Sequence, residues 1–279
     1  MKKISNISQQ LKEYEHSLRL EEKSSHTVEK YLHDVRHFLS WLDDHPICKE
    51  RMIAYKQFLL TSNYAAASIN SKIASVNSFL SFLHCEDYKV RHIKTQRKIY
   101  CPGEKELTRE EYVKLLDAAK GRPRLRMIIE TICATGIRIS ELRFFTVEAV
   151  RRGEIIVSCK NKTRTILLPA KLKKQLLVYA GKQKIRQGII FRTKGGRPMN
   201  RSNIWSDMKK LCAAAHVQES KVFPHNLRKL FARTFYNNEK DIAKLADLLG
   251  HSNINTTRIY IMTTSLEHQK KIDRLGLVV

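Results

Sequence analysis

Residues 224–261, PHNLRKLFARTFYNNEKDIAKLADLLGHSNINTTRIYI, concentrate side chains that bind anions and move protons: two histidines, three arginines and two tyrosines. His225 and Arg228 stand three apart, so a helix projects both from one face. Asp241–Leu249 reads as a helix with Ile242, Leu245, Leu248 and Leu249 on one face. Gly250 ends it, because a glycine just past a helix takes φ > 0 at little steric cost. Polar residues and then Tyr260 follow His251. A helix stop that leads to a histidine and then a tyrosine is not how a core is built. Upstream, Gly136 lets the chain turn sharply, so that Arg138 projects from a helix start with Glu141 three residues on and on its face. Taken singly, each residue has a plainer reading. Arg138 and Glu141 make a surface ion pair, His225 and Arg228 a solvated face, His251 a cap for helix carbonyls, Tyr260 a core ring, and Lys160 a solvated lysine. Their joint occurrence in this order weakens all of these.

The whole composition points the same way. The chain has 279 residues, with 52 basic against 27 acidic, a net charge of +25. Such a surplus implies a polyanionic partner, nucleic acid or an anionic membrane surface. The membrane reading is the weaker one, since no apolar run of about 18 residues exists. Residues 1–100 carry 16 basic and 11 acidic side chains, whereas 151–234 carry 21 and 3. That second span must face phosphate or repel itself. A two-metal nuclease needs clustered carboxylates, which this span lacks. No GxxxxGK[ST] loop is present for a nucleotide. The six cysteines form no CxxC pair and no zinc-spaced cluster, and Cys133 reads as a small core residue. The start, MKKISNISQQ, lacks the apolar run of a signal peptide. A reduced, cytosolic protein with no metal and no cofactor is expected.

The elements that position these residues follow from periodicity. Ile7, Leu11, Tyr14 and Leu18 make one helical stripe. So do Val28, Tyr31, Val35, Phe38 and Leu42, then Met52, Tyr55 and Leu59, then Ile69, Ile73, Val76, Leu80 and Leu83. Four short amphipathic helices in 1–88 predict a bundle. Periodicity fails in 89–106, a basic stretch with Pro102-Gly103, which reads as a linker. Thr108 with Glu111 predicts a capping box that opens the second domain, 107–279. A helix over 124–134 follows. The runs 154–159 and 165–168 around the polar KNKTR predict a β-hairpin with a basic tip, and 189–191 is a candidate third strand. A loop at 194–198 leads to a helix over 202–212. The expected class is mainly α (α+β): an N-terminal four-helix domain and a mainly helical C-terminal domain with a small antiparallel sheet.

The ordered set Arg138, Lys160, His225-x-x-Arg228, His251 and Tyr260 resembles the tyrosine recombinases, the phage integrase family. The local motifs are ATGIRISEL (134–142), HNLRKLFARTFY (225–236) and LGHSNINTTRIY (249–260). SHTVEKYLHDVRHFLSWL and SINSKIASVNSFLSFL are similar to the signature helices of the family's DNA-clamping core-binding domain. The resemblance covers nearly the whole chain and implies a site-specific recombinase. Tyr260 would attack the DNA backbone, forming a 3′-phosphotyrosyl bond and freeing a 5′-hydroxyl. Arg138 and Arg228 would grip the non-bridging oxygens. Lys160 would protonate the leaving oxygen, with Lys162 the alternative lysine at the tip. His225 and His251 would bond the phosphate and shuttle the tyrosyl proton. Glu141 would orient Arg138 or a neighbour. Thr27, Lys30, Lys72, Lys162 and Arg164 are candidate DNA contacts.

The resemblance further implies no cofactor, double-stranded DNA at a specific site as partner, and no small-molecule substrate or membrane. It implies a homotetramer on DNA joined through the tail 261–279, where an intramolecular cap is the plainer reading. Action on a mobile element, by integration, excision or inversion in a bacterial cytoplasm or nucleoid, is the expectation. A type IB topoisomerase-like nicking-closing enzyme and a DNA-binding regulator with an idle site are the rivals. On this reading, affinity for duplex DNA falls about 10³-fold or more between 50 and 200 mM salt, as for proteins that make several phosphate contacts. Electrophoretic mobility shifts at stepped salt measure it, and a flat response contradicts a phosphate-clamping surface.

Overall fold

The computed structural model describes residues 6–95, 106–159, 162–262, 269–270 and 272–276, with the side chains at 159 and 162 also outside the description. These residues form two units that divide at residue 97.

The first unit holds α1 (Ile7–Leu20), α2 (Ser25–Leu42), α3 (Lys49–Thr61) and α4 (Ala66–Phe82). Their apolar stripes converge on one core that includes Tyr14, Leu18, Phe38, Tyr55, Ile73 and Phe79. Tyr14 meets Phe79 edge to face at 5.1 Å and Phe38 meets Tyr55 at 4.9 Å, geometries that suit the aromatic quadrupole. Ser24 caps α2 by accepting from Thr27 N. One carboxylate lies inside: Asp34 accepts from Lys30 Nζ at 2.5 Å and Ser75 Oγ at 2.8 Å, with Lys72 Nζ at 3.7 Å. A buried charge demands such partners. The stretch expected to begin the linker is partly held by this unit. Val90 is buried, and Asn77 brackets its backbone while Asn70 brackets that of Ile93. Amide side chains that satisfy an extended backbone leave no periodic signature in the sequence.

In the second unit, Thr108 and Glu111 form the expected capping box at the start of α5 (Arg109–Ala118). Next come α6 (Pro123–Thr135), a 3₁₀ turn at Ile139–Phe144 and α7 (Val147–Arg152). Strands β1 (Glu154–Cys159) and β2 (Lys162–Leu167) pair antiparallel, with Glu154 opposite Leu167 and Cys159 opposite Lys162. Then follow α8 (Ala170–Lys182), α9 (Arg201–Lys209), α10 (Cys212–Ala215), α11 (Pro224–Glu239), α12 (Ile242–Leu249) and α13 (Ile254–Ile261). The main core runs from Leu107 to Leu227, and α11 packs along α6.

Residues 189–191 do not extend the hairpin as a third strand. The backbone bonds here run elsewhere: Val147 N donates to Gly188 O at 3.0 Å, Ile190 N to Phe145 O at 2.9 Å and Met199 N to Phe191 O at 3.2 Å. The bridge Thr146–Ile189 is isolated. Leu248 also departs from expectation and is 39% exposed. The eight-residue α12 buries Leu245, Ala246 and Leu249, and Leu248 lies off that face.

Candidate active site

Three chain breaks build the site. Gly136 ends α6 with φ 62°. A Cβ there would sit 2.3 Å from Phe231 Cδ1 on α11, so glycine alone permits this approach. The contact brings the Gly136 carbonyl to Arg228, whose Nη1 donates to it. Arg138 is the N-cap of the 3₁₀ turn. Glu141 Oε2 accepts from its backbone N at 2.7 Å and Oε1 from its Nη1 at 3.1 Å. Gly250 ends α12 with φ 64°, and His251 follows.

His225, Arg228, His251 and Tyr260 then meet. The Tyr260 ring lies 5.1 Å from that of His225 and 5.4 Å from that of His251, nearly parallel to the latter at 13°. The Arg228 guanidinium carbon is 6.0 Å from its centroid. A small core of Ala232, Leu245, Leu249 and Tyr260, with Phe231 and Phe235 against it, ties α13 to α11 and α12. Arg228 is 2% exposed and Tyr260 6%. Arg228 Nη2 donates to Leu249 O at 2.7 Å and to His251 Nε2 at 2.9 Å. A guanidinium cannot accept, so Nε2 is the acceptor and Nδ1 carries the proton, which it donates to Thr257 Oγ1 at 2.9 Å. Arg138, with 44% of its side chain exposed, opens with these groups onto a cleft of about 1060 Å³.

Burial depresses these cations. It lowers Arg228 to about 10, helped by Arg138, with Tyr260 and Glu141 opposing. Burial first, then Arg228, Arg138, Arg164 and His225, take His251 from the ordinary 6.5 to about 4. His225 is lowered by burial, then by Arg228, Lys229 and Arg138. These shifts leave His251 neutral at pH 7 and favour the neutral form of His225.

Other expected residues fall elsewhere. Lys160 lies outside the described residues, as does the side chain of Lys162. Arg164, expected at a DNA-facing tip, instead turns inward to Glu141 at 2.7 Å and to the Leu248 carbonyl. Lys30 and Lys72 share Asp34, and Thr27 bonds Ser24 Oγ at 2.8 Å. In the tail, Leu266 and Leu277 lie outside the described residues, and Ile272 and Leu275 are exposed. The sequence reading missed Thr257, and also the far cleft wall, where Trp205 is 49% exposed with Lys209 Nζ 5.5 Å over its ring. The helix α9 carries both at i, i+4, a spacing legible in the sequence without a stated purpose.

A tyrosine ringed by two imidazoles and an arginine at a basic cleft is a group suited to strand transfer at phosphate. The profile of the Phage integrase family matches residues 105–267, and that of the phage integrase N-terminal SAM-like domain matches 11–87. The chain belongs to the phage integrase family and is a tyrosine-type site-specific recombinase. It is 29% identical over 278 residues to tyrosine recombinase XerA of Thermococcus kodakarensis, covering 96% of this chain and 95% of that protein. It is 27% identical over 279 residues to tyrosine recombinase XerD of Oceanobacillus iheyensis, covering 91% and 93%. In fold it is similar to a lambda integrase tetramer bound to a Holliday junction, with TM-score 0.72 and 19% identity over 91% of this chain and 76% of that one. It is likewise similar to XerH bound to difH, with TM-score 0.67 and 20% identity over 95% and 84%.

The depressed His251 gives a pH signature. The unfolded chain takes up a proton near 6.5 that the folded chain refuses until about 4. Stability from this group is complete above 6.5 and is lost as pH falls towards 4. Thermal midpoints should therefore rise with pH across that window, and His251→Gln should flatten the rise. An unchanged slope in the variant contradicts a neutral, half-buried His251.

Proposed function

We propose that this protein cuts and rejoins duplex DNA through Tyr260. The observation that supports it most is the Tyr260 ring set between the His225 and His251 rings beside the Arg228 guanidinium. The Tyr260 oxygen bonds to phosphorus as the bond to the 5′-oxygen breaks, leaving a 3′-phosphotyrosyl link and a free 5′-hydroxyl. A neutral imidazole, His225 or His251, takes the tyrosyl proton, and Lys160 supplies one to the leaving oxygen. Arg138 and Arg228 stabilise the charge on the non-bridging oxygens as the phosphorane forms. Glu141 holds Arg138 in place through its backbone and side chain. Rejoining reverses these steps, because the phosphotyrosyl bond keeps the energy of the bond it replaced.

The partner is double-stranded DNA. Support comes from the charge of +25 and from structural neighbours described as recombinases bound to DNA. Assembly of four copies on DNA, as in the lambda integrase tetramer, with the tail 261–279 as the joint, belongs to the same reading. The two units that divide at residue 97 would clamp the duplex between them, the N-terminal one as the core-binding domain and the C-terminal one as the catalytic domain. Action on DNA in the cytoplasm belongs to the same reading; among the described residues no helix is long and apolar enough to cross a membrane.

The test uses a nicked duplex library of randomised sequence, incubated in EDTA and resolved on denaturing gels. The wild-type protein should form a covalent DNA adduct, and Tyr260→Phe should form none while binding DNA equally well. An adduct that survives Tyr260→Phe, or one that needs added Mg²⁺, contradicts the mechanism.

A further inference from the structure

The end of α12 has an unusual environment. A helix leaves its last carbonyls without partners inside the helix. Here three consecutive carbonyls each accept from a different arginine: Leu248 from Arg164, Leu249 from Arg228 and Gly250 from Arg138. These arginines come from β2, α11 and the 3₁₀ turn. His251 is the next residue. Two of the three are the proposed phosphate ligands. The third has no role in that reaction.

We propose that Arg164 is a positioning residue that locks the β1–β2 hairpin, the Arg138–Glu141 pair and the turn before His251 into one body. This rests on the reading of Tyr260 and the arginines given above. Arg164 lies opposite Val157 in the ladder, on the inward face with Ile155 and Ile166. Its side chain is 15% exposed and does not line the cleft. Nη2 donates to Glu141 Oε2 at 2.7 Å, and Nη1 donates to the Leu248 carbonyl. Glu141 Oε2 also accepts from Arg138 N. One planar fork thus spans a carboxylate and a helix end, a bridge that an ammonium point charge cannot make. Gly250 serves the same contact. A Cβ at Gly250 would sit 2.6 Å from Arg164 Cδ and 2.9 Å from its Nε, so the arginine stem occupies the space a side chain would need.

The test compares Arg164→Ala and Arg164→Lys with the wild type on the nicked duplexes that the wild type captures. Arg164→Ala should bind DNA within about threefold of wild type and form adduct about 10–100-fold more slowly, the range for residues that orient reacting groups. Arg164→Lys keeps the charge and should still be about tenfold slow, since it cannot fork. Groups on one network do not add, so Arg138→Ala with Arg164→Ala should be no more than about threefold slower than Arg138→Ala alone. Hydrogen exchange supplies an arm free of activity. The amides of Gly250 and His251, bonded to Asp247 O and Ala246 O, should exchange about tenfold faster in either variant. A loss of affinity that matches the loss of rate makes Arg164 a DNA contact and overturns the proposal. Multiplying losses with Arg138→Ala, or a wild-type rate in Arg164→Lys, overturn it as well. If Arg164→Ala does not fold, Arg164→Lys carries the test. If the wild type captures no duplex, the nucleophile reading fails, and unchanged exchange at 250 and 251 then decides against Arg164.

Discussion

The site depends on how the C-terminal end of α12 is capped. Its carbonyls hold the negative end of a helix dipole, and arginines from three separate elements converge on them. The bonds to Leu248 and Leu249 are close and charge-assisted, and the one from Arg138 to Gly250 is longer, at 3.4 Å. They fix the arginines relative to one another and to His251, which Arg228 and Thr257 then orient from opposite ring nitrogens. They also let cations stand close together. Burying Arg228 at 2% exposure beside Arg138 is unfavourable by itself, and its depressed proton affinity reports that. Two carbonyls and an imidazole offset part of the cost. Glu141, also 2% exposed, neutralises part of the rest by holding Arg138 and Arg164 at once.

This arrangement leaves a surplus of positive charge facing the cleft, which a phosphate would complete. Preorganised donors act most strongly where water is excluded. Burial, with the same surplus of positive charge, lowers the proton affinity of both histidines and favours their neutral forms. Tyr260 joins this set through apolar contact. Leu245 and Leu249 seat the α13 ring, so the spacing from Gly250 to Tyr260 matters through packing as much as through chemistry.

The parts of the fold that rest on local pattern were legible in the sequence. The four stripes of 1–88, the Thr108–Glu111 capping box, the hairpin, and the stops at Gly136 and Gly250 all follow from spacings of a few residues. The parts that local pattern does not reach depend on contacts distant in sequence. Val90 and Ile93 join the first unit because Asn77 and Asn70 reach them, and polar clasps have no period. Residues 188–190 pair with 145–147, a choice that strand propensity cannot reveal. Arg164 is the instructive case. Near a basic tip it reads as a DNA contact. Yet it stands two residues from Ile166 in a strand, where alternation puts both on one face, and an arginine on the inward face of a strand signals a buried partner. Glu141 stands out in the sequence beside Arg138, but its spacing carries no sign of a join across 23 residues to Arg164.

The central claim is that Tyr260 is the group these arginines and histidines serve. The most direct test is to trap the adduct, digest the protein with trypsin and read the DNA-linked peptide by mass spectrometry. The account predicts one linked residue, Tyr260, in the peptide that follows Arg258, joined through the 3′-phosphate, with a free 5′-hydroxyl on the opposing end. A link to any other residue, or to a 5′-phosphate, contradicts it.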